Sequence, residues 1–208
     1  MVDRNEQENF WAEEYSKNYI EKNDNFNREL LLEGWKDILN QTSQINSVVE
    51  CGANIGRNIL ALEEILPQAD KTAIEISPDA SKILEERFPK LNVKKSSILD
   101  SNHSGQTYDL VFTMGVLIHV APEDLMRTME KMFELSQRYI VIGEYFNRTP
   151  ISLTYQGQEN KLFKRDFGKY FLEHYENEVN LVDYGFLWGH IYDDAGFDDL
   201  TWWVFQKN

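Results

Sequence analysis

Apolar positions recur along the chain with two different periods, and the change of period marks out the elements. Trp11, Tyr15 and Tyr19 return every fourth residue within 8–23. Leu30, Leu31, Trp35, Ile38 and Leu39 line one face of 27–40. Both spacings predict amphipathic helices. Short apolar runs then appear at about 46–51, 71–76, 91–95, 108–113 and 139–144, and these read as strands. The run at 108–113 is apolar on consecutive positions, as a parallel strand buried on both faces is. Helical patterns ending near 66 and over 78–88 and 122–137 separate the strands. A long connection at 145–163 precedes a helix near 164–175, and two final strands, about 180–188 and 199–206, flank an Asp-rich loop. Alternation of strand and helix predicts an α/β fold with a parallel sheet and right-handed crossovers. The short last link predicts that the two final strands pair antiparallel.

The most specific stretch lies between the first strand and its helix. Val48 and Val49 lead into Glu50, then Gly52, Asn54 and Gly56, and the helix buries Ile59, Leu60, Leu62, Ile65 and Leu66. Strand, tight turn and helix N-terminus form the start of a nucleotide-binding α/β unit. A dinucleotide fingerprint begun at Gly52 needs glycines at positions 54 and 57, which are Asn54 and Arg57. The backbone is therefore denied its closest approach to a pyrophosphate, and an NAD-linked oxidoreductase is set aside. The pattern acid-x-G-x-G-x-G fits Glu50, Gly52 and Gly56, with Asn54 in the middle place. Asparagine tolerates the left-handed region better than most residues, so the turn survives the change. Glu75 follows 23 residues after Gly52 and, with Ile76, ends the second strand. An acid at this offset accepts hydrogen bonds from ribose hydroxyls; the plain alternative is a solvated strand end. Ser77 and Pro78 then supply an N-cap and a first-turn proline.

Whole-chain properties narrow the partners. A length of 208 residues suits one domain. Lys+Arg 21 against Asp+Glu 35 gives a net charge of −14, which argues against a nucleic-acid partner. Cys51 is the single cysteine, so no disulfide framework or cysteine-based metal site is expected. No metal set is evident: Asp193, Asp194, Asp198 and Asp199 read as an acidic solvated turn. With neither an apolar leader nor a run of membrane-span length, a cytoplasmic location without membrane partner is the default expectation.

The glycine turn, Glu75 and the strand at 108–113 resemble the class I S-adenosylmethionine-dependent methyltransferases. A narrower resemblance is to the pseudaminic acid biosynthesis-associated methylases, carried by Glu50–Gly56 (ECGANIG), Asp109–His119 (DLVFTMGVLIH) and Gly143–Pro150 (GEYFNRTP). Lys161–Phe167 (KLFKRDF), Val182–Phe186 (VDYGF) and Asp199–Trp202 (DLTW) complete the set. Gln156 and Gln158 stand where the family usually carries basic residues. The resemblance implies a Rossmann-like seven-stranded sheet in the order 3-2-1-4-5-7-6, with the seventh strand antiparallel. It also implies one domain over 1–208, with a helical cap at 1–40 and an acceptor-side flap at 145–165. The implied cofactor is S-adenosylmethionine. The implied acceptor is an O or N of a small molecule, a sugar or nucleotide sugar of a nonulosonic-acid pathway. Methylation of another small metabolite, or a non-catalytic domain that binds the cofactor, are the alternatives.

On this reading Glu50, Gly52, Asn54 and Gly56 hold the amino-acid end and ribose of the cofactor, and Glu75 and Ile76 the ribose side. Ser97 and Ile98 are expected at the adenine, and Thr113 and Met114 at the carboxyl edge of the fourth strand, where open α/β sheets bind ligands. Tyr15 and Tyr19 form either an aromatic lid or a core-facing helix stripe. Methyl transfer needs an aligned, desolvated nucleophile and, for an alcohol, a base. His119 is the candidate base, against a packing role. Glu144 and Tyr145 border the same cleft, against a simple strand end. Tyr155, Lys161, Lys164 and Arg165 form a basic and aromatic cluster for an anionic part of the acceptor, against a solvated helix face.

Overall fold

The apolar runs become strands of one sheet. The computed structural model describes residues 5–14, 25–100, 103, 105–155 and 157–208. Its strands in chain order are β1 (Ser47–Cys51), β2 (Asp70–Ile74), β3 (Asn92–Lys94), β4 (Tyr108–Met114), β5 (Ser136–Glu144), β6 (Ile151–Tyr155), β7 (Gln158–Lys164), β8 (Val179–Leu187) and β9 (Leu200–Lys207). Seven of them form a sheet ordered β3-β2-β1-β4-β5-β9-β8, while β6 and β7 form a separate hairpin. With the hairpin set aside, this is the predicted order 3-2-1-4-5-7-6. β1 lies parallel to β2 and β4, with Val49 opposite both Thr72 and Val111. β9 runs antiparallel to β5 and β8, placing Val204 beside Val141 and Asp183.

Helices α1 (Glu6–Asn9), α2 (Arg28–Leu39), α3 (Arg57–Ile65), α4 (Pro78–Arg87), α5 (Leu125–Leu135), α6 (Phe167–His174) and α7 (Gly189–Tyr192) accompany the sheet. Period-two alternation sends neighbouring side chains into different cores. Leu110 and Phe112 join Trp35, Ile38 and Leu62 under α2 and α3, whereas Val111 joins Met129, Met132 and Phe171 under α5 and α6. Caps fix the ends. Asn27 Oδ1 accepts from the N–H groups of Glu29 and Leu30, and Ser77 Oγ accepts from Ala80 N at 3.3 Å ahead of Pro78.

Two expectations are corrected. The stretch expected to be one helix over 8–23 begins earlier, at Glu6, because Asn5 and Glu8 form a reciprocal capping box. A π-helical turn over Phe10–Glu14 follows. Tyr15 and Tyr19 lie outside the described residues. The connection at 145–163 is the β6–β7 hairpin, turning at Gly157 (φ 81°). The alternation Ile151-Ser152-Leu153-Thr154-Tyr155 carried this period-two signal. Among the described residues no helix is long and apolar enough to cross a membrane.

Candidate functional site

The turn after β1 is left-handed at Gly52 (φ 81°), Asn54 (φ 47°) and Gly56 (φ 85°). A Cβ on Gly52 would sit 2.7 Å from Val116 Cγ2, so only glycine lets this backbone lie against the segment after β4. A cavity opens along the turn. Glu75 holds the turn's shape: its Oε2 accepts from Asn54 N and its Oε1 from Ser77 N, each at 2.7 Å. The carboxylate is buried at the cavity wall, and burial raises its pKa. Each oxygen can accept again, which is what two neighbouring ribose hydroxyls require.

Glu50 ends β1 beneath the same cavity, 1% exposed. Its Oε1 accepts from Asn58 Nδ2 at 2.7 Å, while Oε2 is buried without a hydrogen-bond partner. Desolvation pushes its pKa up to about 8, against the opposing pull of Asn58 and Arg57. Such a carboxyl group suits an ammonium ion at a distance of one hydrogen bond. The turn, the doubly anchored Glu75 and the open valence of Glu50 together fit S-adenosylmethionine, whose ribose and amino-acid end need those partners.

The facing wall comes from the ends of β3 and β4. Ser97 Oγ accepts from Leu99 N at 3.1 Å, shaping the loop that carries Ile98 into the cavity. His103 Nε2 lies 2.9 Å from the Ser97 carbonyl and braces that loop from behind. Met114 at the end of β4 lines the cavity with Gly115 and Val116 just after it, followed by His119. The His119 imidazole is buried, with Nδ1 2.8 Å from the carbonyl oxygen of Lys161. A carbonyl can only accept, so Nδ1 carries the proton and Nε2 keeps its lone pair. Burial pulls the pKa down to about 4, leaving the ring neutral at physiological pH. Its ring centroid lies 4.2 Å from that of Trp11 and 5.2 Å from that of Tyr155.

The structure thus brings Glu50, Gly52, Asn54, Glu75, Ile76, Ser97, Ile98, Met114 and His119 to one cavity. Other expected site residues lie off it. Gly56 caps α3 and makes room for Leu84 and Phe88 of the α4 segment, and Thr113 is fully buried one residue short of the cavity. Glu144 is corrected from an acceptor contact to a strut: its Oε1 accepts from Val116 N and Leu117 N at 3.0 and 2.9 Å, and Oε2 from Ile118 N at 3.2 Å. Tyr145 packs beneath Lys164, whose Nζ stands 4.9 Å from the ring centroid. Lys161 is buried and paired with Glu6 at 2.8 Å, tying the hairpin to α1. Arg165 sits over Phe163, and Tyr155 backs His119 without lining the cavity. The basic cluster is therefore spent on packing, and the cavity's charged side chains are Glu8, Glu50, Glu75, Asp124 and Arg57. Sequence reasoning missed Asn58, Arg57, Asp124 and Asn5 at this cavity. For Asn58 a signal existed, a polar residue on the otherwise apolar face of α3. Among the described residues no group of three or more His, Cys, Asp or Glu side chains is gathered as a metal site.

Comparison with known proteins agrees with this geometry. Residues 48–138 match the family model described as "Methyltransferase domain". Comparison with curated protein sequences finds no match. Among solved structures, the plantazolicin methyltransferase BpumL in complex with S-adenosylhomocysteine is similar at a TM-score of 0.69 and 14% identity, over 97% of this chain and 94% of that one. The 1,6-didemethyltoxoflavin-N1-methyltransferase of Burkholderia thailandensis gives 0.69 and 13%, over 93% and 84%. The N-methyltransferase NodS of Bradyrhizobium japonicum gives 0.64 and 17%, over 92% and 98%. The chain has the Rossmann-like class I methyltransferase fold, its residues 48–138 are similar to a methyltransferase domain, and it is a methyltransferase whose cofactor is S-adenosylmethionine.

Proposed function

We propose that the protein transfers the methyl group of S-adenosylmethionine to an O or N of a small molecule. The observation that carries this reading is the pairing of Glu75, anchored by two backbone N–H groups, with the half-satisfied Glu50 across one glycine turn. Glu75 clasps the ribose hydroxyls, Glu50 takes the ammonium, and the loops carrying Ser97 and Ile98 receive the adenine. When bound, the cofactor supplies an electrophilic methyl on a sulfonium leaving group. The chain's part is to align the acceptor and exclude water. In this role the β6–β7 hairpin works by holding His119 and α1 in place (through the Lys161 carbonyl and the Lys161–Glu6 pair). The narrower acceptor that the resemblance implies, a nucleotide sugar of a nonulosonic-acid pathway, is not favoured by the cavity lining. A diphosphate would meet Glu8 and Asp124 in the cavity and find Lys164 and Arg165 outside it. Calorimetric titration with S-adenosylhomocysteine, paired with label transfer from methyl-labelled cofactor to metabolite extracts, tests the reading. Heat without label points to a non-catalytic binder; neither heat nor label ends the proposal.

A further inference from the structure

The acceptor side of the cavity has a chemical character of its own. His119 Nδ1 donates to the Lys161 carbonyl at 2.8 Å, so the ring offers only the Nε2 lone pair, a hydrogen-bond acceptor. Trp11 stands beside it as a flat wall, backed by Tyr155, and Met114, Val120 and Ala121 add apolar surface. The two acids on this side each have one oxygen on Asn5: Glu8 Oε2 accepts from Asn5 N at 3.0 Å, and Asp124 Oδ2 from Asn5 Nδ2 at 2.7 Å. Their charge repels anions and holds a basic amine in its protonated form.

We infer that the acceptor is an uncharged nitrogen on a flat ring system, an aromatic or heteroaromatic amine, whose N–H is held by His119 Nε2 while its ring lies along Trp11. This rests on the proposed methyltransferase function and names its substrate class. Three exclusions lead to it. Carboxylates, phosphates and sugar diphosphates are disfavoured by Glu8 and Asp124. An alcohol must lose its proton to be an effective nucleophile, and the Nδ1 of His119 is set on the neutral Lys161 carbonyl, not on a carboxylate that would stabilise the imidazolium a base becomes. Aliphatic amines arrive protonated, with no lone pair to offer. An amino group on an aromatic ring is neutral at pH 7 and presents an N–H, a lone pair and a flat face together, whereas a ring nitrogen offers an N–H or a free lone pair but not both.

The chemistry balances without a strong base. The nitrogen lone pair forms the new C–N bond, the methyl–sulfur bond breaks, and its electron pair stays on sulfur as the neutral thioether of S-adenosylhomocysteine. The positive charge passes to the methylated nitrogen, whose extra N–H proton leaves to water on release. His119 acts in this step by fixing the N–H direction, so that the lone pair points at the methyl carbon.

The test uses the whole protein with methyl-labelled S-adenosylmethionine and a panel of anilines and amino-substituted heterocycles. Matched phenols, benzyl alcohols, benzoates and free sugars serve as competitors, and fragmentation mass spectrometry locates the new methyl. Label on nitrogen, at least about tenfold faster than on the matched oxygen compounds, is expected. Acceptor affinity of the S-adenosylhomocysteine-saturated protein should fall about tenfold in His119→Phe, the worth of one good hydrogen bond, and recover in His119→Gln, whose amide oxygen can replace Nε2. Both variants should bind S-adenosylhomocysteine within about twofold of the unchanged protein, which also shows that they fold. Label on oxygen, absence of label from every amine, or an unchanged acceptor affinity in His119→Phe overturns the inference. If S-adenosylhomocysteine itself gives no heat, the proposed function fails first, and the two failures are told apart.

Discussion

Asn58 Nδ2 donates to Glu50 Oε1 at 2.7 Å, and the direction of that bond is set one residue further back. Trp35 Nε1, which can only donate, lies 3.1 Å from Asn58 Oδ1. The amide must therefore turn its oxygen to Trp35 and its NH2 to Glu50. All three side chains are buried. A core tryptophan of α2 thus orients the acid of the glycine turn through the first turn of α3.

Removing the middle of this chain should cost more than removing its end. Asn58→Leu strands both Trp35 Nε1 and Glu50 Oε1, a penalty of about 2–4 kcal/mol in stability. Trp35→Phe deletes the outer donor only, though it also trims core volume, so its polar cost is about 1 kcal/mol. Urea denaturation gives the stabilities. Calorimetry should show S-adenosylhomocysteine affinity falling about tenfold or more in Asn58→Leu and far less in Trp35→Phe. Unchanged affinity in Asn58→Leu would mean that Glu50 does not face the cofactor.

Stability of the ligand-free protein should decline between pH 6.5 and pH 8. Glu50 titrates at about 8 and Glu144 at about 7 in the fold, both from an ordinary 4.5. Between those limits the native state holds protons that the unfolded chain has lost, so rising pH favours unfolding. His119 works in the opposite sense between about 4 and its ordinary 6.5, where the unfolded chain binds the extra proton. The two effects oppose each other below pH 6.5, and only the decline remains above it. Its size is about 2 kcal/mol over that interval. Thermal melts at fixed ionic strength check the slope. Because a cofactor ammonium favours the ionised form of Glu50, binding should also release a proton, seen as a buffer-dependent heat.

The contact between Gly52 and Val116 offers a two-part test of the turn. Gly52→Ala places a side chain at φ 81°, which costs about 1–2 kcal/mol, and drives its Cβ to 2.7 Å from Val116 Cγ2. Affinity for S-adenosylhomocysteine should fall more than about tenfold. Adding Val116→Ala removes the clash and leaves the strain, so only part of the affinity returns. Full recovery in the double variant would show that backbone conformation at Gly52 is unimportant.

How much of this was legible in the sequence depends on the range of the interaction that decides each feature. The left-handed residue Asn54, the cap at Ser77 and the offset of Glu75 are local, and pattern alone located them. Short apolar runs marked the strands of the sheet, consecutive where a strand is buried on both faces, and the short last link marked the antiparallel pair. The hairpin is hard to see in the sequence although Ile151–Tyr155 alternates, since no Asn-Gly or Asp-Gly turn announces it. The side-chain roles of Glu144, Lys161 and His119 were not legible. Their partners lie 26 to 28, 155 and 42 residues away in sequence, and such contacts exist only once the chain has closed.

Glu144 separates a supporting role from a direct one. Its carboxylate collects three consecutive N–H groups, those of Val116, Leu117 and Ile118, at the tight turn that carries His119 to the cavity. Consecutive N–H groups pointing one way have no partner within their own turn, so a fully buried acceptor must come from elsewhere. Glu144→Ala leaves all three without one, at a cost on the order of 3 kcal/mol. It should also lower affinity for S-adenosylhomocysteine, because Val116 closes against Gly52. Glu144→Gln keeps one oxygen as acceptor but turns an NH2 group toward the remaining N–H. It should fall between Glu144→Ala and the unchanged protein, and the Glu144 share of the stability decline above pH 6.5 should vanish in it. Were Glu144 instead a group that touches the acceptor, Glu144→Gln would raise the acceptor KM while leaving melting temperature and cofactor affinity alone. Measuring all three on one preparation decides between the two.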